Sequence, residues 1–249
     1  MIPKIIHYIW LGGKEEPKIL KKCKESWKKY CPNYLIKRWD ESNLNINKMP
    51  YTKEAIEAKK YAFASDYFRF EILAKEGGIY LDIDVKLLKS LDTFLQEKCF
   101  MGFEKGLNIK VNPGLICGCE PNSEIIEELQ NSYKNDTFKS IEGKLNLKTI
   151  CDRTTEILQQ HGLSTVDKTQ KFDKFTIYSS QYFCPMSFLK NDKKITKDTH
   201  AIHLYASTWM KAPFLQRLKY RILKMIGSRN TEKLKKLLKK GNKNGQTSN

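Results

Sequence analysis

Asp82 and Asp84 stand one residue apart at the end of an apolar run, GGIYLDIDV, Gly77 to Val85. Carboxylates are seldom buried without a partner, and two this close repel each other. Either the chain turns out into water at this point or a cation sits between the two acids. On a strand, residues two apart project to the same side. At a strand's end both side chains then reach one hard cation such as Mg²⁺ or Mn²⁺, which takes oxygen ligands at about 2.0–2.2 Å and keeps substrate phosphates among them. Such an ion offsets the charge of a departing diphosphate. The spacing suits a reaction that expels a nucleoside diphosphate, although a strand exit with solvated aspartates also explains a motif this short.

Upstream, Asp66 and Arg69 are three residues apart and share one face of a helix. They read either as a surface ion pair, worth little, or as a pair at a helix N-terminus beside a crevice, where the acid accepts from sugar hydroxyls and the guanidinium neutralises charge.

The elements that must position these residues alternate. KIIHYIW (Lys4 to Trp10) reads as a buried strand stopped by Gly12 and Gly13. Pro17 opens a helix with Ile19, Leu20, Cys23 and Trp27 on one face. A second strand is expected over Tyr34 to Asp40, and helices over Thr52 to Lys59 and Ser65 to Glu76. Gly77 and Gly78 end the latter helix, and a strand, IYLDIDV, follows. Further strands are expected at Cys99 to Glu104, Gly114 to Glu120, Phe175 to Ser180 and Ala201 to Trp209, and helices at Ser123 to Tyr133 and Lys148 to Gln160. This alternation argues for one α/β domain with a crevice at the strand ends.

Composition limits the alternatives. The chain has 249 residues, 40% hydrophobic and 11% aromatic, enough for a real core. No charged start followed by a long apolar stretch marks a signal peptide, and no run is long enough to span a bilayer. Seven scattered cysteines, none in a CxxC pair, read as reduced thiols of a cytoplasmic protein. The net charge is +17, of which the segment from Lys211 onward carries +11. The basicity is therefore a property of the tail. A nucleic-acid binder is the alternative this charge raises, but no recognition motif supports it and no nucleic acid is expected as a partner. A nucleotide-sugar hydrolase sharing the metal site is a further alternative. The P-loop pattern of common NTPases is missing.

The tail divides into residues 211–240, with two basic amphipathic helical patterns at Phe214 to Ile226 and Thr231 to Lys240, and a disordered end at 241–249. Such segments either lie on an anionic membrane surface or present a solvated lysine face.

The pattern A-S-D-x-x-R-x-x-x-L-x-x-x-G-G-x-Y-x-D-x-D, read from Ala64 to Asp84, resembles that of glycosyltransferase family 32, the "sugar-binding region containing DXD motif" group. It is also similar to the catalytic domains of the large clostridial glucosylating toxins. IPKIIHYIWLGG at the front and HLYASTW, His203 to Trp209, match the family's opening and closing motifs in the right order. The resemblance implies a GT-A type, Rossmann-like single domain with a mixed sheet over residues 1–210, followed by the helical tail. It implies that Trp10 stacks on the base and that Asp66 and Arg69 hold the donor sugar and pyrophosphate. By the same likeness Tyr80 lies near the donor, Asp82 reaches the ribose and the metal's water shell, and Asp84 and His203 bind Mn²⁺ or Mg²⁺. Ser207 and Trp209 match a pair that contacts the phosphates and closes over the donor. Asn112, in an NPG turn, falls near the donor sugar or acceptor. The expected reaction is metal-dependent transfer of a hexose or N-acetylhexosamine from a nucleotide-diphosphate sugar, UDP first among them, with retention. The expected acceptor is a glycan or lipid-linked glycan in capsular or cell-surface polysaccharide synthesis, on an enzyme that is cytoplasmic or peripheral to the inner face of the membrane.

Overall fold

The computed structural model of the chain describes residues 1–105, 108–186 and 194–206. Expectations for the tail at 211–249, and for Ser207 and Trp209, lie outside the described residues.

The front of the chain forms a parallel βαβ unit. Strand β1 (Ile5–Ile9) and strand β2 (Leu35–Trp39) pair in parallel, joined by helix α1 (Lys18–Tyr30). Pro17 immediately precedes α1, and the helix buries Leu20, Cys23, Ser26 and Trp27 along one stripe. Helices α2 (Pro50–Glu57) and α3 (Tyr61–Glu76) follow, and then strand β3 (Gly78–Tyr80), which pairs in parallel with β1. Helix α3 begins four residues before the expected Ser65. Asp66 therefore lies in its second turn and not at an N-terminus.

The two glycines that end α3 have φ of 64° and 90°, which side chains rarely adopt. Gly78 has a second reason to lack a side chain: a Cβ there would lie 2.8 Å from His7 Nε2. His7 is fully buried on β1, its Nε2 donating to Gly77 O at 2.9 Å while Nδ1 accepts from Trp39 Nε1 at 3.1 Å. The ring thus ties β1 to β2 and to the turn that leads into β3. Burial holds its pKa down at about 4, against the pull of Glu76 and the Gly77 carbonyl.

Strand β4 (Val85–Leu87) separates from β3, so IYLDIDV is two short strands and not one. The break falls at Asp82 to Asp84, where Val85 N bonds to Asp82 O at 3.0 Å and closes a turn. A 3₁₀ turn (Asp92–Phe94) leads to strands β5 (Cys99–Lys105), β6 (Ile109–Val111) and β7 (Cys117–Cys119). Helices α4 (Glu124–Asn131) and α5 (Ile150–Gln160), strands β8 (Gln170–Lys171) and β9 (Thr176–Tyr178), the short helix α6 (Ser180–Phe183) and strand β10 (Ala201–His203) complete the described chain.

The main sheet has the order β2-β1-β3-β7-β5-β9-β8, with β6 added on β5. Strand β7 is antiparallel to both β3 and β5, and β9 is parallel to β5. Strands β1, β2, β3, β5 and β9 therefore run one way and end together. The sheet is mixed and the fold α/β, as expected from the alternation of elements. Separately, β4 and β10 form an antiparallel ribbon. Helix α1 holds this ribbon: Trp27 Nε1 donates to Val85 O at 2.8 Å, and Ser26 Oγ accepts from Leu87 N at 3.0 Å. Two apolar clusters fill the faces, one around Phe68, Phe70, Met101 and Ile177, the other around Ile6, Trp27, Leu81 and Phe183. All seven cysteines are free thiols. Among the described residues, no helix is long and apolar enough to cross a membrane.

Candidate functional site

The common end of the five like-directed strands is where an α/β sheet leaves a crevice, and the acids gather there. Asp82 follows the end of β3, its amide donating to Gly114 O at 2.8 Å. Asp84 lies in the turn entering β4 and is only 8% exposed. The ribbon register sets His203 opposite Val85, one residue on from Asp84. His203 Nε2 lies 3.2 Å from Asp84 Oδ1, while Asp84 Oδ2 accepts from the Ala206 amide at 2.7 Å. Leu204 N donates to Asp84 O at 2.9 Å, so the backbone on both sides of the ribbon fixes the pair.

Asp82, Asp84 and His203 each offer one ligand atom, and these atoms all lie within 4.8 Å of one another. Two carboxylates and an imidazole on one small volume fit Mn²⁺ or Mg²⁺. The pKa directions describe the same cluster. Burial would raise Asp84, but the His203 charge and hydrogen bond, with the Ala206 amide, hold it below the usual carboxylate range. Burial would lower His203, yet Asp84 foremost, then Glu104 and Asp82, push it up to about 9. The acids thus favour a positive charge at this point.

A second network meets the first at Asp82. Arg69 is 3% exposed and its Nη2 lies 2.8 Å from Asp66 Oδ1 and 3.5 Å from Asp82 Oδ1. Its guanidinium carbon sits 4.6 Å from the centre of the Tyr80 ring, and the Tyr80 hydroxyl donates to Asp82 Oδ1 at 3.1 Å. This is a buried cation held by two acids and an aromatic face, not a surface ion pair. Burial pushes Asp66 up to about 7 against the pull of Arg69. Arg69 Nη1 is buried without a hydrogen-bond partner. Gly114 stands against it: a Cβ there would lie 2.5 Å from Nη1 and fall on the Asp82 carboxylate. Only a bare glycine can cradle both side chains, which pack directly on its Cα.

Asn112 shapes that cradle. Its side-chain oxygen accepts from Gly114 N at 2.8 Å and Leu115 N at 3.1 Å, and its Nδ2 donates to Glu104. Trp10 stands just past the end of β1, half-buried, its indole donating to Lys14 O at 2.7 Å. The structure therefore brings Asp66, Arg69, Tyr80, Asp82, Asp84, Asn112 and His203 into one connected group. Sequence reasoning missed Glu104 and Gly114. Glu104 carried a readable signal, an acid closing the apolar strand CFMGFE as the aspartates close theirs. The need for glycine at 114 depends on Arg69 and Asp82 arriving from α3 and β3, which no local pattern shows.

Residues 17–101 match the family model described as "Glycosyltransferase sugar-binding region containing DXD motif". Over 227 residues the chain is 30% identical to an uncharacterized glycosyltransferase, L373, of Acanthamoeba polyphaga mimivirus, covering 87% of this chain and 86% of that one. It is 34% identical over 93 residues to the toxin Afp18 of Yersinia ruckeri, covering 36% of this chain and 4% of the toxin. Over 133 residues it is 29% identical to the initiation-specific alpha-1,6-mannosyltransferase of Candida albicans, covering 49% of this chain and 33% of that enzyme. The chain belongs to the DXD-motif glycosyltransferases, the family whose motifs the sequence resembles.

Proposed function

We propose that the chain transfers a hexose or N-acetylhexosamine from a nucleotide-diphosphate sugar, UDP-linked in the first instance, to a hydroxyl of a glycan or lipid-linked glycan. The observation that carries this reading is the meeting of Asp82, Asp84 and His203 beside buried Arg69, in front of the bare Cα of Gly114.

Asp84 and His203 are the residues that would hold Mn²⁺ or Mg²⁺, with Asp82 reaching its water shell. When bound, the cation supplies Lewis-acid stabilisation of the diphosphate leaving group. The remaining work falls to the chain. Arg69, fixed by Asp66 and Tyr80, presents a permanent positive charge toward the diphosphate and costs no reorganisation when charge develops there. Asp66 and Asp82 accept from hydroxyls of the donor. Gly114 lets Arg69 and Asp82 pack on its backbone and so sets where they face the donor, and Asn112 keeps the Gly114 loop in place. Trp10, at the end of β1, offers its ring to the base. By the family likeness, Ser207 and Trp209, outside the described residues, would contact the phosphates. An acceptor hydroxyl then attacks the anomeric carbon from the face the diphosphate leaves, with the departing phosphate taking its proton, and configuration is retained. The basic segment 214–240 would hold the enzyme at an anionic membrane surface on the cytoplasmic side, where a lipid-linked acceptor for surface polysaccharide is presented.

The test is a panel of UDP- and GDP-sugars assayed with Mn²⁺ or with chelator, each with and without mixed glycan acceptors. Metal-dependent release of UDP that rises with acceptor is expected. Sugar release unaffected by any acceptor would favour a hydrolase, and equal turnover in chelator would overturn the metal assignment.

A further inference from the structure

The residue with no assigned role in this site is Glu104. It leaves the end of β5 with its side chain 18% exposed, and its Oε1 lies 4.0 Å from His203 Nδ1. That nitrogen is buried and has no hydrogen-bond partner. The other Glu104 oxygen is tied down by Asn112 Nδ2, so the carboxylate cannot swing freely away. His203 is equally constrained, with its Nε2 on Asp84 and its ring 4.4 Å from that of Tyr205, tilted by 37°.

An imidazole whose Nε2 lone pair points to a cation must carry its proton on Nδ1. A buried Nδ1–H needs an acceptor, and leaving it unpaired costs the full desolvation of the group. Metal-binding histidines meet this need with a carboxylate or carbonyl behind the ring, which fixes the tautomer and raises the basicity of the ligating nitrogen.

We propose that Glu104 is this acceptor: it takes the Nδ1–H of His203, selects the tautomer that presents Nε2 beside Asp84, and so orients His203 toward the divalent cation. Glu104 is a positioning residue and acts through His203. The inference rests on the metal site of the reading above. It also gives Asn112 a definite task, since its carboxamide aims the Glu104 carboxylate.

The test measures Mn²⁺ binding directly, by calorimetry on the full chain without nucleotide, for wild type, Glu104→Ala and Glu104→Gln. Thermal unfolding without metal is run in parallel. Loss of the acceptor in E104A is expected to weaken Mn²⁺ by about 10–100-fold. In E104Q a single carboxamide oxygen is left for which Asn112 Nδ2 and Nδ1–H compete, so an affinity between those of E104A and wild type is expected. E104Q also serves if E104A does not fold. Nitrogen-15 NMR of the Mg²⁺-loaded wild type is expected to show His203 protonated at Nδ1 alone. Mn²⁺ affinities within twofold of wild type in both variants, or a Mg²⁺-loaded His203 protonated at Nε2, would overturn the proposal while leaving the metal site standing. A wild type that binds no Mn²⁺ would remove both.

Discussion

At the scale of single residues the site is a balance of charge. Two aspartates and Glu104 surround the His203 imidazole, and a buried guanidinium sits behind them. Removing a charge from such a cluster alters binding more than folding. Asp84→Asn keeps the shape and the Ala206 contact but loses the anion, so metal-dependent transfer is expected to fall by roughly 10²–10³-fold, as when a main electrostatic contributor is deleted. Initial rates against Mn²⁺ concentration check this; activity within threefold of wild type would contradict it. Gly114→Ala acts differently. Its methyl collides with Arg69 Nη1 and the Asp82 carboxylate and must push both aside. The expected result is a donor KM raised at least about tenfold, with overpacking that costs about 1–3 kcal/mol of stability. Donor titrations and urea unfolding of the same variant separate the two effects.

At the scale of elements, short strands carry the site because other elements hold them. Helix α1 clasps the β4–β10 ribbon through Trp27 and Ser26. Trp27→Phe leaves the buried Val85 carbonyl without its indole donor. An unfolding free energy lower by about 1–3 kcal/mol is expected, the cost of an unsatisfied buried acceptor. His7 ties the other side and gives the fold a pH dependence. Its pKa is about 4 folded, against 6.5 for an ordinary histidine. The unfolded chain takes up a proton first as pH falls, so this stability is complete above pH 6.5 and drains away between 6.5 and 4. Its size is about 3 kcal/mol at most, taken from the width of that window. Urea midpoints from pH 8 to 4 are expected to drop through this range, and less steeply in His7→Gln. An equal slope in the variant would assign the effect elsewhere.

Much of this element map was legible in the sequence. Pro17 before α1, the Gly77-Gly78 stop and the strand-to-acid run at Asp82 are local signals with local causes, and they fell within a few residues of the observed boundaries. The start of α3 was read too late because Tyr61 to Ala64 carry no cap residue, and Lys60 at that end makes no side-chain cap. The continuous strand at IYLDIDV was misread because β-rich composition runs straight through the turn. The break is imposed by tertiary contacts: Asp82 N pairs with Gly114 O, and β4 with β10. The approach of Glu104 to His203 joins the main sheet to the β4–β10 ribbon and has no signature in either segment.

At the scale of the whole molecule, +11 of the net charge of +17 falls in the sequence from Lys211 onward. A basic segment attracts an anionic surface through its potential, and salt screens that attraction. If that segment meets a membrane, the full chain is expected to sediment with phosphatidylserine-containing vesicles and not with phosphatidylcholine alone, and to be released by added salt. Equal sedimentation with both would contradict a charge-based attachment. The family itself is shown by the match of residues 17–101 to its model and by 30% identity to a glycosyltransferase over 87% of the chain. What the fold accomplishes physically is to deliver Asp82 and Asp84, from the turn between β3 and β4, and His203, from β10, to one point.

Calorimetric titration of UDP into the full chain tests that convergence most directly. With Mn²⁺ present, saturable heat is expected; it should vanish in chelator and in Asp84→Asn, while both proteins still unfold cooperatively and so are folded at the titration temperature. Equal UDP binding in chelator and in the variant would mean that this cluster does not hold the diphosphate through a cation.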